Sequence, residues 1–209
     1  MTISPVVGET ASAVLTRLYS ESAYPADGGP RGNGSPDPRA YVGYGFPVSS
    51  EQGELLYFLA RAIGSRRVVE FATPFGLSTI YLAAAMRDNG GGVVVGSEIV
   101  AEKAALARDH LDEAGLSAWA EIRVGDARQT LRDVSGPIDL ALVDGWPTGE
   151  VPSLAKQVAE ILAPQMRTGA VMVNDNAEPD YLEFVRDRSN AFRSITASLG
   201  RPTELAIRE

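Results

Sequence analysis

The chain has 209 residues, 44% of them apolar and 22% charged, with a formal net charge of −8 and no cysteine. That balance suits one α/β domain with a well-buried core and an N-terminal appendage. It excludes disulfides, thiolate metal sites and cysteine nucleophiles, and the acidic surface offers no basic stripe for nucleic acid.

Residues Met1 to Tyr19 lack the basic start and continuous apolar run of a secretory signal, and no stretch reaches the ~18 apolar residues of a membrane span. The expectation is a cytoplasmic protein with neither a membrane nor a nucleic-acid partner. Val14, Leu15 and Leu18 fall at helical spacing and predict a short amphipathic helix over residues 6–19. Ser20 to Pro47 is dense in Gly, Pro, Ser and Asp, with Tyr24, Tyr41, Tyr44 and Phe46 scattered through it. Such composition predicts no regular element, because Gly raises the entropy cost of ordering and Pro removes a donor. A segment of this kind is either a linker or a lid over a substrate.

Ser49 to Gln52 has capping-box spacing, and Leu55, Leu56, Phe58, Leu59 and Ile63 give the following helix one buried face. From Arg67 onward strands and helices alternate. Strands are predicted at Val68–Ala72, Gly92–Glu98, Ala120–Val124, Ile138–Asp144 and Ala170–Asn174. Helices are predicted at Ser78–Arg87, Val100–Ala114, Gln129–Asp133, Val151–Ala163 and Asp180–Asp187. Alternation implies parallel strands, right-handed crossovers and a ligand at the carboxyl ends of the strands. Ser194–Leu199 and Thr203–Arg208, around Gly200-Arg201-Pro202, read as an antiparallel hairpin. The fold class is therefore α/β, a doubly wound, mostly parallel sheet closed by a C-terminal antiparallel hairpin.

Chemistry-bearing residues cluster at the predicted strand ends. Glu70-Phe71-Ala72-Thr73-Pro74-Phe75-Gly76 joins an apolar strand to a helix opening at Leu77–Ser78, whose free N–H groups suit a carboxylate or phosphate. The turn lacks a triple-glycine fingerprint and Pro74 lacks an N–H, which disfavours a pyrophosphate cradle and a nicotinamide dehydrogenase. Glu98 is placed to accept from two vicinal ribose hydroxyls, the alternative being a solvated carboxylate. Asp126 is placed to accept from an adenine amine, or simply turns the chain. Together these residues describe a nucleoside bearing an amino acid rather than a diphosphate. Asp144, Asp175 and Asn176 end the fourth and fifth strands as a hard oxygen set suited to Mg²⁺, unless Asn174-Asp175-Asn176 is only a turn. His110, the single histidine, reads as a solvated helix residue, and the lysines are Lys103 and Lys156 alone. A Ser–His–Asp mechanism has almost no material.

With these motifs in view, the chain resembles the class I S-adenosylmethionine-dependent O-methyltransferases, specifically the cation-dependent group that includes catechol O-methyltransferase. The similarity runs from Val48 to Arg208 and rests on Ser49-Ser50-Glu51-Gln52-Gly53-Glu54-Leu55-Leu56, the Val69–Thr79 turn, and Asp180-Tyr181-Leu182-Glu183-Phe184-Val185-Arg186 with the hairpin after it. It implies a seven-stranded Rossmann-like methyltransferase domain over residues 48–209, preceded by an N-terminal helix and Gly/Pro-rich lid or linker over residues 1–47. By the resemblance Glu70, Ala72, Gly76 and Ser78 would surround the methionine part of S-adenosylmethionine. Glu98 would hold the ribose, and Gly125, Asp126 and Ala127 would frame the adenine. Asp144, Asp175 and Asn176 would hold Mg²⁺ or another divalent cation. Trp146 would line the site together with Asp144, and Asp144 and Asp175 would carry the catalysis.

The resemblance further implies methyl transfer to a hydroxyl oxygen of a small catechol-like or phenolic acceptor, in a homodimer; the aromatics Tyr41, Tyr44 and Phe46 suit a planar acceptor or, equally, packing against a second subunit. Two positions depart from the family pattern. Ala72 stands where glycine is usual, and Pro147 stands where a general-base lysine is common. They motivate two alternatives: a metal-independent methyltransferase with Asp175 as base, and a non-catalytic S-adenosylmethionine-binding protein. Without a lysine at 147, the proton would pass to water, to Asp144, or to Lys156 if its helix presents it inward.

Overall fold

The computed structural model describes residues 5–21, 35, 37–145, 147–198 and 202–209. A seven-stranded sheet in the order β3-β2-β1-β4-β5-β7-β6 organises the chain. Strand β1 (Arg67–Phe71) pairs in parallel with β2 (Val93–Glu98) and β4 (Ile138–Val143), and β2 pairs with β3 (Ala120–Val124). Strand β5 (Met166–Asn174) runs parallel to β4 but antiparallel to β7 (Pro202–Arg208), which pairs with β6 (Phe192–Ser198). The chain winds outward from β1 to β3 and then returns to the other side of β1. The switch point therefore lies between β1 and β4, where the neighbouring crossovers leave a crevice. Phe71 stands opposite both Ser97 and Val143, and Glu98 opposite Val124, so these strands end nearly level.

Alternation along each strand builds two apolar layers. Val68, Val94, Leu140, Leu142 and Val171 face α1 (Glu9–Glu21), α2 (Ser50–Ala62), α3 (Leu77–Asp88) and α4 (Ala101–Glu113). Val69, Val95, Ala141, Val143 and Met172 face α6 (Leu154–Leu162) and α7 (Pro179–Arg186), with Ala127 and Leu131 at the ends of the short α5 (Ala127–Thr130). Strand β4 is buried along its whole length, as a central parallel strand covered on both faces must be. Helix α3 is buried from Leu77 to Met86 because it is wedged between the sheet and the N-terminal helices. A Cβ on Gly53 would lie 2.3 Å from the Tyr81 ring, so glycine is what lets α2 approach α3.

Most predicted elements form within a few residues of their expected bounds, and the differences have local causes. The first helix starts at Glu9, after a 3₁₀ turn over Pro5–Val7. The Gly/Pro-rich segment does carry regular structure: Pro38–Tyr41 is a 3₁₀ helix because the Asp37 side chain accepts from the Arg39 N–H and Pro38 pre-sets the first turn. Helix α5 begins at Ala127 because Asp126 caps it through the Arg128 N–H. Helix α6 begins at Leu154 because Ser153 caps it through the Lys156 N–H. Strand β5 begins at Met166, earlier than expected. Tyr24 and the hairpin turn at residues 199–201 lie outside the described residues. No described helix is long and apolar enough to cross a membrane.

The two ends of the sheet differ in a way that places the site. At the amino edge Asp139 accepts from the Arg66 and Arg67 N–H groups and from the Arg167 guanidinium at 2.5 Å, so its polar atoms are consumed by the fold. At the carboxyl edge the acidic side chains open onto a cavity.

Candidate functional site

A cavity of about 820 Å³ runs along the carboxyl edge of the parallel strands. Ligand sites fall at about 300–1,000 Å³, so this one has room for a nucleoside and a small second molecule. One end is lined by Ser97 and Glu98 after β2 and by Gly125, Asp126 and Ala127 after β3. Phe71, Ala72 and Ser78 lie on the β1–α3 side, and Asp144, Asp175 and Asn176 line the end beyond β4 and β5. A further wall comes from Tyr41, Phe46, Pro47 and Val48 of the N-terminal arm and from Pro147, Thr148 and Leu154 of the β4–α6 connection.

The β1–α3 turn is held in an unusual conformation by its neighbours. Ala72 (φ 66°), Phe75 (φ 59°) and Gly76 (φ 76°) are all left-handed. The Phe75 carbonyl lies 2.8 Å from the His110 Nδ1, and the two rings meet edge to face. A Cβ on Gly76 would sit 3.3 Å from the Ala107 backbone, a tight contact that adds to the left-handed φ in favouring glycine beside α4. His110 is thus half-buried and anchors the turn, which corrects the expectation that it is merely solvated.

Ala72 occupies a conformation that disfavours a Cβ, by roughly 1–2 kcal/mol. In Ala72→Gly, relief of that strain is set against the greater unfolded-state freedom of glycine, about 0.4–1 kcal/mol. The melting temperature should therefore hold or rise slightly while affinity for the cofactor rises. A loss of affinity on calorimetric titration would show that the methyl group is a contact and not an obstruction.

Glu70 is fully buried and does not line the cavity. Its Oε2 accepts from the Thr79 hydroxyl at 2.6 Å. Burial pushes its carboxyl up, against the lowering influence of the Ser78, Thr79 and Thr73 hydroxyls. A folded carboxyl raised in this way binds its proton more tightly than the unfolded chain does, so its contribution weakens as pH rises above about 4.5 towards the folded value. Glu70→Gln should flatten this part of the melting temperature against pH and raise stability at neutral pH. A profile identical to that of the wild type would remove the argument.

Glu98 is 5% exposed and its Oε1 accepts from the Val100 N–H at 2.9 Å. Burial raises its pKa, while the Val100 N–H and the Lys103 ammonium act to lower it. Lys103 is lowered by burial and raised by Glu98, and its Nζ stands 5.1 Å from the centre of the Phe46 ring. Phe46 packs on Tyr41 at 5.7 Å between centroids, so one buried cation joins the N-terminal arm to the Glu98 end. The sequence reading missed Lys103. Its signal was a lysine immediately before Ala104 on the buried face of α4.

Asp126 lines the cavity, but Arg128 engages it strongly, with Nη2 2.6 Å from Oδ2 and Nε 3.0 Å from both carboxylate oxygens. That guanidinium lowers its pKa and also reaches Glu150 at 3.3 Å. Arg128 therefore joins the β3–α5 turn to the β4–α6 connection, a link between separate loops that spacing could not reveal. An adenine amine at Asp126 would have to share the carboxylate with it.

At the far end the Asn176 Nδ2 donates to Asp144 Oδ1 at 2.7 Å, and the Asn176 N–H donates to Asn174 Oδ1 at 2.8 Å. The Asp175 Oδ1 accepts from the Gln52 Nε2 and, at 3.4 Å, from the Thr203 hydroxyl. Among the described residues no three His, Cys, Asp or Glu side chains form a metal-binding group. A cation here would have to rely on two carboxylates and one amide. Half a turn of the Asn176 amide presents its oxygen, and the resulting all-oxygen set fits a hard divalent cation that keeps several waters.

Of the residues expected to bind the cofactor, Ala72, Ser78, Glu98, Gly125, Asp126, Ala127 and Asp144 line this one cavity. Glu70 and Gly76 lie behind its wall, and Trp146 lies outside the described residues. Pro147 lines the cavity, whereas Lys156 pairs with Glu160 at 4.0 Å on α6 and does not, so it is no substitute base.

Comparison with known proteins agrees with this architecture. A family described as "Methyltransferase domain" matches residues 69–177. The catechol O-methyltransferase of Mycobacterium tuberculosis is 41% identical over 130 residues, 62% of this chain and 56% of that protein. That of Niastella koreensis is 34% identical over 101 residues, 46% of this chain and 45% of that protein. The chain spans about half the length of these curated relatives. The crystal structure of cofactor-bound Rv0187 from MTB superposes with a TM-score of 0.70 at 26% identity, covering 96% of this chain and 90% of that one. With a matched segment running from the first strand past the Asp175–Asn176 turn, the chain belongs to the methyltransferase domain family.

Proposed function

We propose that this chain binds S-adenosylmethionine along the carboxyl edge of the sheet and transfers its methyl group to a hydroxyl oxygen of a small phenolic or catechol-like acceptor. One observation carries the reading: a single cavity is lined at one end by the buried Glu98 and at the other by Asp144, Asp175 and Asn176. The first suits vicinal ribose hydroxyls. The second suits adjacent oxygens of an acceptor together with a divalent cation. Relatives named catechol O-methyltransferase, and a structural neighbour described as cofactor-bound, support the same assignment.

In this reading S-adenosylmethionine, held at the Glu98 end, would supply an electrophilic methyl group to the deprotonated acceptor oxygen and would leave as the neutral thioether. Asp144, Asp175 and Asn176 would hold a divalent cation, whose Lewis acidity lowers the pKa of the acceptor hydroxyl. No lysine of the chain stands at that end. Lys103 sits beside Glu98, and β1 separates β2 from β4, so strand spacing alone puts the two ends about 10 Å apart. The proton therefore passes to Asp144, to Asp175 or to water. General-base assistance is worth about 10²–10⁴-fold, so its reduction is tolerated by an acidic phenol far better than by an alcohol. The aromatic wall of Tyr41 and Phe46 suits a planar ring.

Turnover of a catechol panel with S-adenosylmethionine, before and after exhaustive chelation, tests the proposal. Activity lost on chelation and restored by Mg²⁺ is the expected result. Activity untouched by chelation would favour the metal-independent reaction with Asp175 as base. Tight cofactor binding without transfer to any acceptor would favour a binding protein.

A further inference from the structure

Gln52 carries a polar network that the proposed chemistry does not itself require. It lies in the first turn of α2, is 3% exposed, and uses both ends of its amide. Its Oε1 accepts from the Ser49 N–H at 3.0 Å, completing the capping box that starts the helix. Its Nε2 donates to Asp175 Oδ1 and, at 3.0 Å, to the Thr203 hydroxyl of β7. Asp175 and Thr203 are themselves 6% and 1% exposed. Three buried polar side chains from a helix start, a strand end and the C-terminal hairpin thus meet, although they are far apart in sequence. A capping box needs only the acceptor oxygen, and glutamate supplies it as well as glutamine. The amide nitrogen is the part that capping does not explain.

We propose that Gln52 is a positioning residue for Asp175, fixing through its amide N–H₂ which carboxylate oxygen turns towards the cavity. The inference rests on the reading of Asp175 as part of an oxygen set for a divalent cation. One oxygen is held on the Gln52 and Thr203 side, and the residue lines the same cavity as Asp144 and Asn176. The carboxylate then need not be ordered when a cation or acceptor arrives. Because the same amide starts α2, immediately after the Tyr41–Val48 wall, the orientation of Asp175 is tied to the placement of that wall. Partners that orient a ligating carboxylate typically contribute about 10–100-fold in metal affinity.

Gln52→Glu keeps the capping oxygen and replaces the donating nitrogen with an oxygen. Gln52→Met keeps the side-chain length and removes both polar ends. Thr203→Val removes the second donor to Asp175 together with one acceptor of the Gln52 amide, and leaves both bonds of the α2 capping box in place. The measurements are Mn²⁺ affinity by calorimetry with S-adenosylhomocysteine present, S-adenosylhomocysteine affinity alone, and the melting temperature. The expected result is a Mn²⁺ affinity about 10–100-fold weaker in folded Gln52→Met and reduced by a smaller factor in Thr203→Val, with S-adenosylhomocysteine affinity within about twofold of the wild type. Gln52→Glu should melt cooperatively and also bind Mn²⁺ more weakly, separating the nitrogen's role from capping. Mn²⁺ affinity equal to that of the wild type in Gln52→Met or, should that variant not fold, in Thr203→Val overturns the inference alone. A wild type that takes up no Mn²⁺ overturns the reading of the oxygen set, and the inference with it.

Discussion

Glu98→Ala should weaken S-adenosylmethionine binding by about 2–3 kcal/mol, or roughly 30- to 150-fold in Kd, the worth of a charged acceptor lost to two hydroxyls. The side chain is buried, so water does not readily replace it. Its Oε1 also holds the Val100 N–H at the start of α4, and alanine removes that bond as well. Glu98→Gln separates the two roles, because it keeps an acceptor oxygen and the side-chain shape while discarding the charge. Its affinity should fall between wild type and alanine, with a melting temperature close to wild type. Lys103→Met leaves the carboxylate in place but removes the cation beside it, and should weaken binding by a smaller factor. Titration calorimetry of the three variants checks the order. Wild-type affinity in a folded Glu98→Ala protein would remove the nucleoside site from this end of the cavity.

Asp144→Ala should produce the opposite pattern. Turnover should fall about 10³-fold, since the Lewis acidity sacrificed with a carboxylate ligand is worth several kcal/mol, while cofactor affinity should change far less than in Glu98→Ala. Asn176 pairs with Asp144 across the β4 and β5 ends, so Asn176→Ala should share the kinetic defect in milder form. Raising the Mg²⁺ concentration should recover part of the Asn176→Ala rate and little of the Asp144→Ala rate. Equal rates for Asp144→Ala and wild type, measured at saturating acceptor and cofactor, would exclude this end as the reacting one. The contrast between the two ends matters more than either variant alone, because a general loss of stability would depress both quantities together.

Much of this layout was legible in the chain before folding was considered. Alternation of apolar strands with amphipathic helices is a local pattern, and it carried the parallel sheet, the hairpin and the strand-end positions of Glu98, Asp144 and Asp175. Ser49 and Gln52 announced a helix start through spacing alone, and the structure forms that cap. Asp37 with Pro38 was equally local, yet the surrounding Gly and Pro density hid it. Residues acting through distant partners were not legible. Glu70 was grouped with the cofactor site but lies behind the cavity wall, because β1 is central and its alternate side chains are covered by helices on both faces.

What the amino-acid order determined by itself was periodicity, and with it the sheet, its crossovers and the edge at which chemistry could gather. Only the tertiary structure decided which polar atoms remain for a ligand. Asp126 is shared with Arg128, His110 is drawn to the Phe75 carbonyl, Lys156 turns to Glu160, and the Gln52 amide reaches Asp175. Apart from the Lys156–Glu160 and Asp126–Arg128 neighbours, these pairs join segments remote along the chain, and a hydrogen bond depends on separation in space rather than on spacing in sequence. Backbone strain at Ala72 was settled in the same way. A left-handed alanine is locally unfavourable and persists because α4 and β2 hold the turn on either side, through His110 on Phe75 and the Ala72 N–H on the Ser97 carbonyl.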